Sequence, residues 1–237
     1  MSNDTAEAMS PALEAATIAK LEAETAAARA GAAHTDAEAR KAAAEATTAE
    51  LAAAKAARLE AAALASDEHN HVYRFVGTVS GASVAACIKQ LTEWTRTDPD
   101  CDVEIVFTSP GGSIIDGFVL FDFVRSLSHA GHKVTVGCLG MAASMAGILL
   151  QMGDHRWVGS EGWVMIHRAA FGASGKTFEV EDEVEFVKRI EKRIVAIFEA
   201  RTGGKLTAAR IKRNWDRKDW WIESEKALEL GLVDEVR

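Results

Sequence analysis

Gly140-Met141-Ala142-Ala143-Ser144-Met145 follows an apolar, strand-like run and opens a helix-like run, setting one hydroxyl among small neighbours. That is where a serine nucleophile sits, presented at a strand-to-helix turn. Upstream, Ser109-Pro110-Gly111-Gly112 closes the strand-like run Val103 to Thr108 and leads into another helical pattern. Two such turns can face one site. Free backbone N–H groups at turns and helix N-termini attract developing negative charge, so the pair is suited to the oxyanion of an acyl-transfer intermediate. The chain therefore reads as a serine hydrolase. A blander role for Ser144 is close helix packing, which Ala142, Ala143 and Ala146 beside it would also serve. A serine hydroxyl is a poor nucleophile without a base. His167, ending a strand-like run, is the candidate base; His129, His132 and His155 flank a helix stop or sit in a polar turn and are expected to be solvated. Asp216 and Asp219 are both available as a supporting carboxylate.

Working outward, the chain from His71 alternates short apolar strands with amphipathic helices. Strands are expected at Val72 to Val76, Val103 to Thr108, Lys133 to Leu139, Arg156 to Val158 and Trp163 to His167. Helices are expected at Ser83 to Thr95, Ile114 to Ala130, Ser144 to Met152 and Glu179 to Arg201, the last ended by Gly203-Gly204. Repeated strand-then-helix order implies an α/β fold with a largely parallel sheet. Trp220 and Trp221 read as core.

Residues 1–66 are different: they are alanine-rich and contain no aromatic residue. Ser10-Pro11 is a good helix start and Gly31 a plausible stop; Thr35-Asp36-Ala37-Glu38 then matches a capping box for a second helix, supported by a pair of Asp36 with Arg40. Large apolar residues are sparse (Leu13, Ile18, Leu21, Leu51, Leu59, Leu64), so no heptad specifies a coiled coil. We expect residues 1–66 to form a helical arm, mobile or partner-dependent, and 67–237 to form the globular domain, with Ser66 to Asn70 as the boundary.

A net charge of −8 and a pI near 5.4 argue against nucleic acid as a partner, because phosphate binding needs clustered cations. Cys87, Cys101 and Cys138 are odd in number, widely spaced and without a metal-ligand pattern, and suggest a reduced cytoplasmic thiol state. No signal-peptide pattern and no long apolar run are present, so neither export nor a membrane is expected.

Four segments together resemble the proteolytic subunit of the Clp protease over roughly His71 to Val236: SPGG at Ser109 to Gly112, GMAASMAG at Gly140 to Gly147, VMIH at Val164 to His167, and a closing segment from Asp219 through GLVDEV at Gly231 to Val236. The resemblance implies a crotonase-like α/β core and peptide hydrolysis. It implies Ser144 as nucleophile, His167 as general base and Asp219 as the orienting carboxylate. It also implies an oxyanion hole from the N–H groups of Gly112 and Met145, and a substrate strand along Gly111, Gly112 and Ser113. No metal or organic cofactor is implied. Implied partners are protein or peptide substrates and further copies of the chain, as in a ring. Phage-encoded relatives that mature virus heads often carry unrelated extensions, which suits the arm and would add capsid or scaffold proteins as partners, in the host cytoplasm or the assembling head. The arm stands where the family has short pore loops, so coupling to an ATPase unfoldase does not carry over. Arg168 and Ala169 follow His167, where proline commonly follows the family's VMIH-Gln. Two other readings use the same fold: a subunit that has lost activity and assembles or scaffolds through its arm, and a coenzyme A enzyme, which would not need the Ser, His and Asp set.

Overall fold

The computed structural model describes residues 11–237, and the chain divides between Ala63 and Leu64 into two units. The Ser10 cap lies outside the described residues.

In the first unit, helix α1 (Pro11–Leu64) is continuous for 54 residues, with no buried residue. The expected stop at Gly31 and restart at Thr35 do not occur. A single glycine costs only about 1 kcal/mol relative to alanine, which good helix formers on both sides outweigh. The Thr35 hydroxyl bonds back to the Gly31 carbonyl at 2.9 Å, as Thr17, Thr25, Thr47 and Thr48 do to theirs, so it is an interior residue and no cap. Charge pairs form at Lys20–Glu24 and Lys41–Glu45, and Asp36–Arg40 is not among them. At the far end, the Asn70 side-chain amide donates to the Leu64 and Ser66 carbonyls.

The second unit follows the alternating pattern: β1 (Val72–Val76), α2 (Gly81–Thr97), β2 (Val103–Ser109), α3 (Ile114–His129), β3 (Val134–Ala143), α4 (Met145–Leu149, extended by a 3₁₀ turn to Met152), β4 (His155–Val158) and β5 (Trp163–Ile166). Then come α5 (Thr177–Arg201), α6 (Ala208–Trp215), β6 (Trp220–Glu223), α7 (Ser224–Glu229) and β7 (Glu235–Val236). The sheet runs β1-β2-β3-β4-β7, with β5 branching from β3 and pairing β6. Every pairing is parallel except β5–β6. Helices α2 and α3 bury one stripe each, Val84, Cys87, Leu91 and Trp94 on one and Gly117, Leu120, Val124 and Leu127 on the other. These spacings of three and four residues are those of one buried helix face, and α3 also carries exposed Ile115 and Val119 outside it.

Strand β3 is longer than expected, because Met141–Ala143 pair with Trp163–Met165 of β5 while Thr135–Cys138 pair with β4. Gly140-Met141-Ala142-Ala143 is therefore strand, and the turn begins at Ser144. Trp220 packs against the core, whereas Trp221 is 45% exposed and edge-on to Trp163. Successive strand residues face opposite sides, so only one of the two can be core.

The carboxy-terminal segment is tied to β4 by charge. Arg156, 5% exposed, grips Asp234 at 2.6 and 3.0 Å and donates to Gln151 at 2.7 Å. Burial alone would raise the Asp234 carboxyl, but the hydrogen bonds and charge of Arg156 outweigh it and hold the group below its ordinary 3.8. A carboxyl more acidic in the folded state stabilises fully above the ordinary range and loses that contribution as pH falls through its lowered pKa. We expect Asp234→Asn to cost about 1–2 kcal/mol at neutral pH, less than for a wholly buried pair because the carboxylate is part-exposed. In thermal melts the gap to wild type should close as pH drops below 3.8; a gap independent of pH would contradict this assignment.

Candidate active site

Strand β3 delivers the chain to Ser144, whose φ of 56° and ψ of −122° are a conformation that costs a residue with a side chain about 1–3 kcal/mol. Neighbours hold it there. Its N–H donates to the Met165 carbonyl at 2.9 Å, and its carbonyl accepts from Gly147 at 3.1 Å. The side chain is thereby turned toward the strand that follows. His167, one residue beyond β5, places Nε2 at 2.7 Å from Ser144 Oγ. Its Nδ1 lies 3.6 Å from Asp219 Oδ1, close enough for charge attraction but beyond hydrogen-bond length. The Asp219 side chain is 56% exposed, against 27% for His167. Asp216, the competing carboxylate, lines a different cavity with Arg168 and Glu191.

The Ser109-Pro110-Gly111-Gly112 turn presses directly on this corner. Buried Ser109 accepts the Gly111 N–H on its hydroxyl at 3.1 Å. Val79 bridges Gly112 in parallel, donating to the Gly111 carbonyl at 2.8 Å and accepting from the Ser113 N–H at 2.9 Å. Gly111 has φ +92°, and a Cβ there would stand 2.5 Å from the Ala143 carbonyl and 2.6 Å from Ser144 Cβ. Only glycine permits that approach. Because Val79 already occupies Gly111 and Ser113, the main-chain groups left facing outward are those of Gly112. The Ser113 hydroxyl caps α3, accepting from Asp116. Among the described residues, neither the Gly112 nor the Met145 N–H has a protein acceptor.

A cavity of about 290 Å³ opens beside Ser144 and His167, walled by Ile148, Ile166, Phe186, Val187, Ile190 and Ile194, with Gly112 and Ser113 at its edge. Arg168, following His167, forms a two-pronged pair with Glu191 of α5 at 3.0 and 3.1 Å, fixing the loop after β5 to the wall of that cavity. The thiols offer no rival nucleophile: burial pushes Cys87 up and Cys138 up to about 12, while burial and then the carboxylates of Asp98 and Asp102 raise Cys101.

Sequence reasoning singled out Ser144, His167, Asp219, Gly111, Gly112, Ser113 and Met145. Ser144 and His167 are in contact, Asp219 stands just outside hydrogen-bond reach, and Gly111 abuts the serine. Val79 was not singled out, and Ser109 and Arg168 were noted only for the SPGG turn and for following His167, without their bracing roles. No periodic or spacing signal marks them, because each acts through a partner brought near only by folding or by a turn.

The chain matches the family model described as Clp protease over residues 68–237. It is similar to the ATP-dependent Clp protease proteolytic subunit of Porphyromonas gingivalis, 32% identical over 165 residues, covering 68% of this chain and 72% of that protein. The α/β core with its mainly parallel sheet is the fold these matches imply.

Proposed function

The chain belongs to the Clp protease family, and from that premise we propose that it is a serine endopeptidase working through an acyl-enzyme on Ser144. The observation that carries this reading is the 2.7 Å contact between Ser144 Oγ and His167 Nε2. With Nδ1 protonated toward Asp219, Nε2 accepts the hydroxyl proton as Oγ attacks the peptide carbonyl. The anionic oxygen then meets the N–H groups of Gly112 and Met145, which have no competing acceptor among the described residues. His167 returns the proton to the leaving amine. Water, activated by the same imidazole, attacks the ester and frees Ser144. An apolar substrate side chain suits the neighbouring cavity, and the outward groups of Gly112 suit an extended backbone, a mode that gives loose sequence preference.

A fluorophosphonate probe tests the reading: one covalent adduct per chain, mapped to Ser144, is expected, together with hydrolysis of an unstructured protein. Absence of both would overturn it. Asp219 is exposed and unbonded to the imidazole, so Asp219→Asn should lower turnover by about 10²- to 10⁴-fold, less than loss of Ser144 or His167. A loss equal to that of His167→Ala would mean that the carboxylate is fully engaged during turnover.

The exposed 54-residue helix favours a second reading, an assembly subunit acting through its arm; it predicts arm-dependent association and no peptide turnover. The family also supports a ring of identical copies, and the arm is compatible with processing of capsid or scaffold proteins in a virus head.

A further inference from the structure

The geometry points to a binding site for a zinc-class divalent cation formed by His71, Asp98 and Cys101. One donor atom from each side chain lies within 4.8 Å of the other two. They come from two segments: His71 immediately precedes β1, while Asp98, the C-cap of α2, and Cys101 share the loop before β2. Main-chain bonds fix that frame. Asp98 N–H donates to the Trp94 carbonyl at 2.8 Å, Cys101 N–H to the Asp98 carbonyl at 3.2 Å, and Glu104 N–H to the His71 carbonyl at 3.0 Å. The Cys101 carbonyl in turn accepts from His132 Nδ1 at 2.9 Å.

An imidazole nitrogen, a thiolate sulfur and a carboxylate oxygen are the donors of zinc sites, whereas magnesium and calcium favour all-oxygen shells. Tetrahedral zinc places its ligand atoms roughly 3.5 Å apart, so closure from 4.8 Å needs about 1 Å of movement. Asp98 is exposed and free to supply it by a rotamer change. Three protein ligands leave a fourth position for water. Asp100 and Asp102, flanking Cys101 in sequence, add negative charge to the same loop. On binding, the Cys101 S–H bond breaks, its proton passes to solvent, and the sulfur lone pair forms the bond to the cation; no electron is transferred. The cation would join the start of β1 to the α2–β2 loop and so brace the edge of the sheet. This inference does not rest on the peptidase reading.

Cobalt(II) added to the full-length, reduced chain without competing thiols is the probe. One equivalent should give a near-ultraviolet sulfur-to-cobalt charge-transfer band, which zinc displaces. Cys101→Ser should abolish that band. Asp98→Asn, an exposed change that leaves the core untouched, should weaken cobalt binding by about tenfold or more, with thermal melts confirming that both variants are folded. A wild-type chain without the band, a band that persists in Cys101→Ser, or unchanged affinity in folded Asp98→Asn would each overturn the site.

Discussion

Ser144→Ala should reduce peptide turnover by about 10⁴- to 10⁶-fold and leave the chain folded. Serine and imidazole act as one unit, so removing the hydroxyl leaves His167 with no proton to accept, and removing His167 leaves the hydroxyl un-ionised. The two single variants should therefore be about equally inactive, and the double variant scarcely worse. What remains would come from substrate binding and the Gly112 and Met145 N–H groups, which both variants keep. Alanine also relaxes nothing essential: the Ser144 main chain is held by Met165 and Gly147, not by the side chain. Rates with a fluorogenic peptide, alongside unchanged thermal midpoints, are the measurement. Turnover persisting at even a tenth of the wild-type rate in Ser144→Ala would remove the serine from the chemistry.

Gly111→Ala is the second large effect, and it acts on the same corner without replacing either reacting side chain. The added methyl would lie 2.6 Å from Ser144 Cβ and 2.8 Å from the Met145 nitrogen, on a backbone whose φ is +92°. Both neighbours belong to the strained corner, so relief requires shifting the nucleophile, the N–H beside it, or the turn itself. Displacement of a reacting group by about 1 Å costs on the order of 10²-fold in rate. We expect at least that loss in kcat, with a fall in stability of about 1–3 kcal/mol from strain and overlap. Fluorophosphonate labelling should slow in parallel, because it needs the same alignment but no peptide. A variant that labels at the wild-type rate yet cleaves peptide poorly would instead place the damage in substrate binding.

The order of elements from Val72 to Arg201 was legible because each carries its own period. Strand β1 is a short, mainly apolar segment of strand length broken only by Arg74, and α2 repeats its apolar residues at helical spacing. The C-terminal part was not: α6 buries only Ile211 and Trp215 among charged residues, too short a stretch to show a period, and β6 gains its identity from pairing with β5. The same dependence on a distant partner explains β3, where Met141–Ala143 look like a turn until Trp163–Met165 arrive beside them. Gly31 misled in the opposite sense, since a local breaker was weaker than the alanine-rich chain around it. At the site, the residue types and their order exposed Ser144 and His167. Val79 was invisible and Ser109 stood out only as part of the SPGG turn, because valine bridging a glycine, or serine accepting a backbone N–H, leaves no mark on composition.

Helix α1 carries short-range charge pairs at Lys20–Glu24 and Lys41–Glu45 and buries nothing along its 54 residues. Such a segment unravels gradually on heating, fraying over a broad range, while a packed sheet domain lets go in one sharp transition. All six tryptophans lie beyond residue 66. Their fluorescence will therefore report on the globular unit, whereas far-ultraviolet ellipticity also registers the long helix, so a comparison of the two melting curves reads the loss of α1.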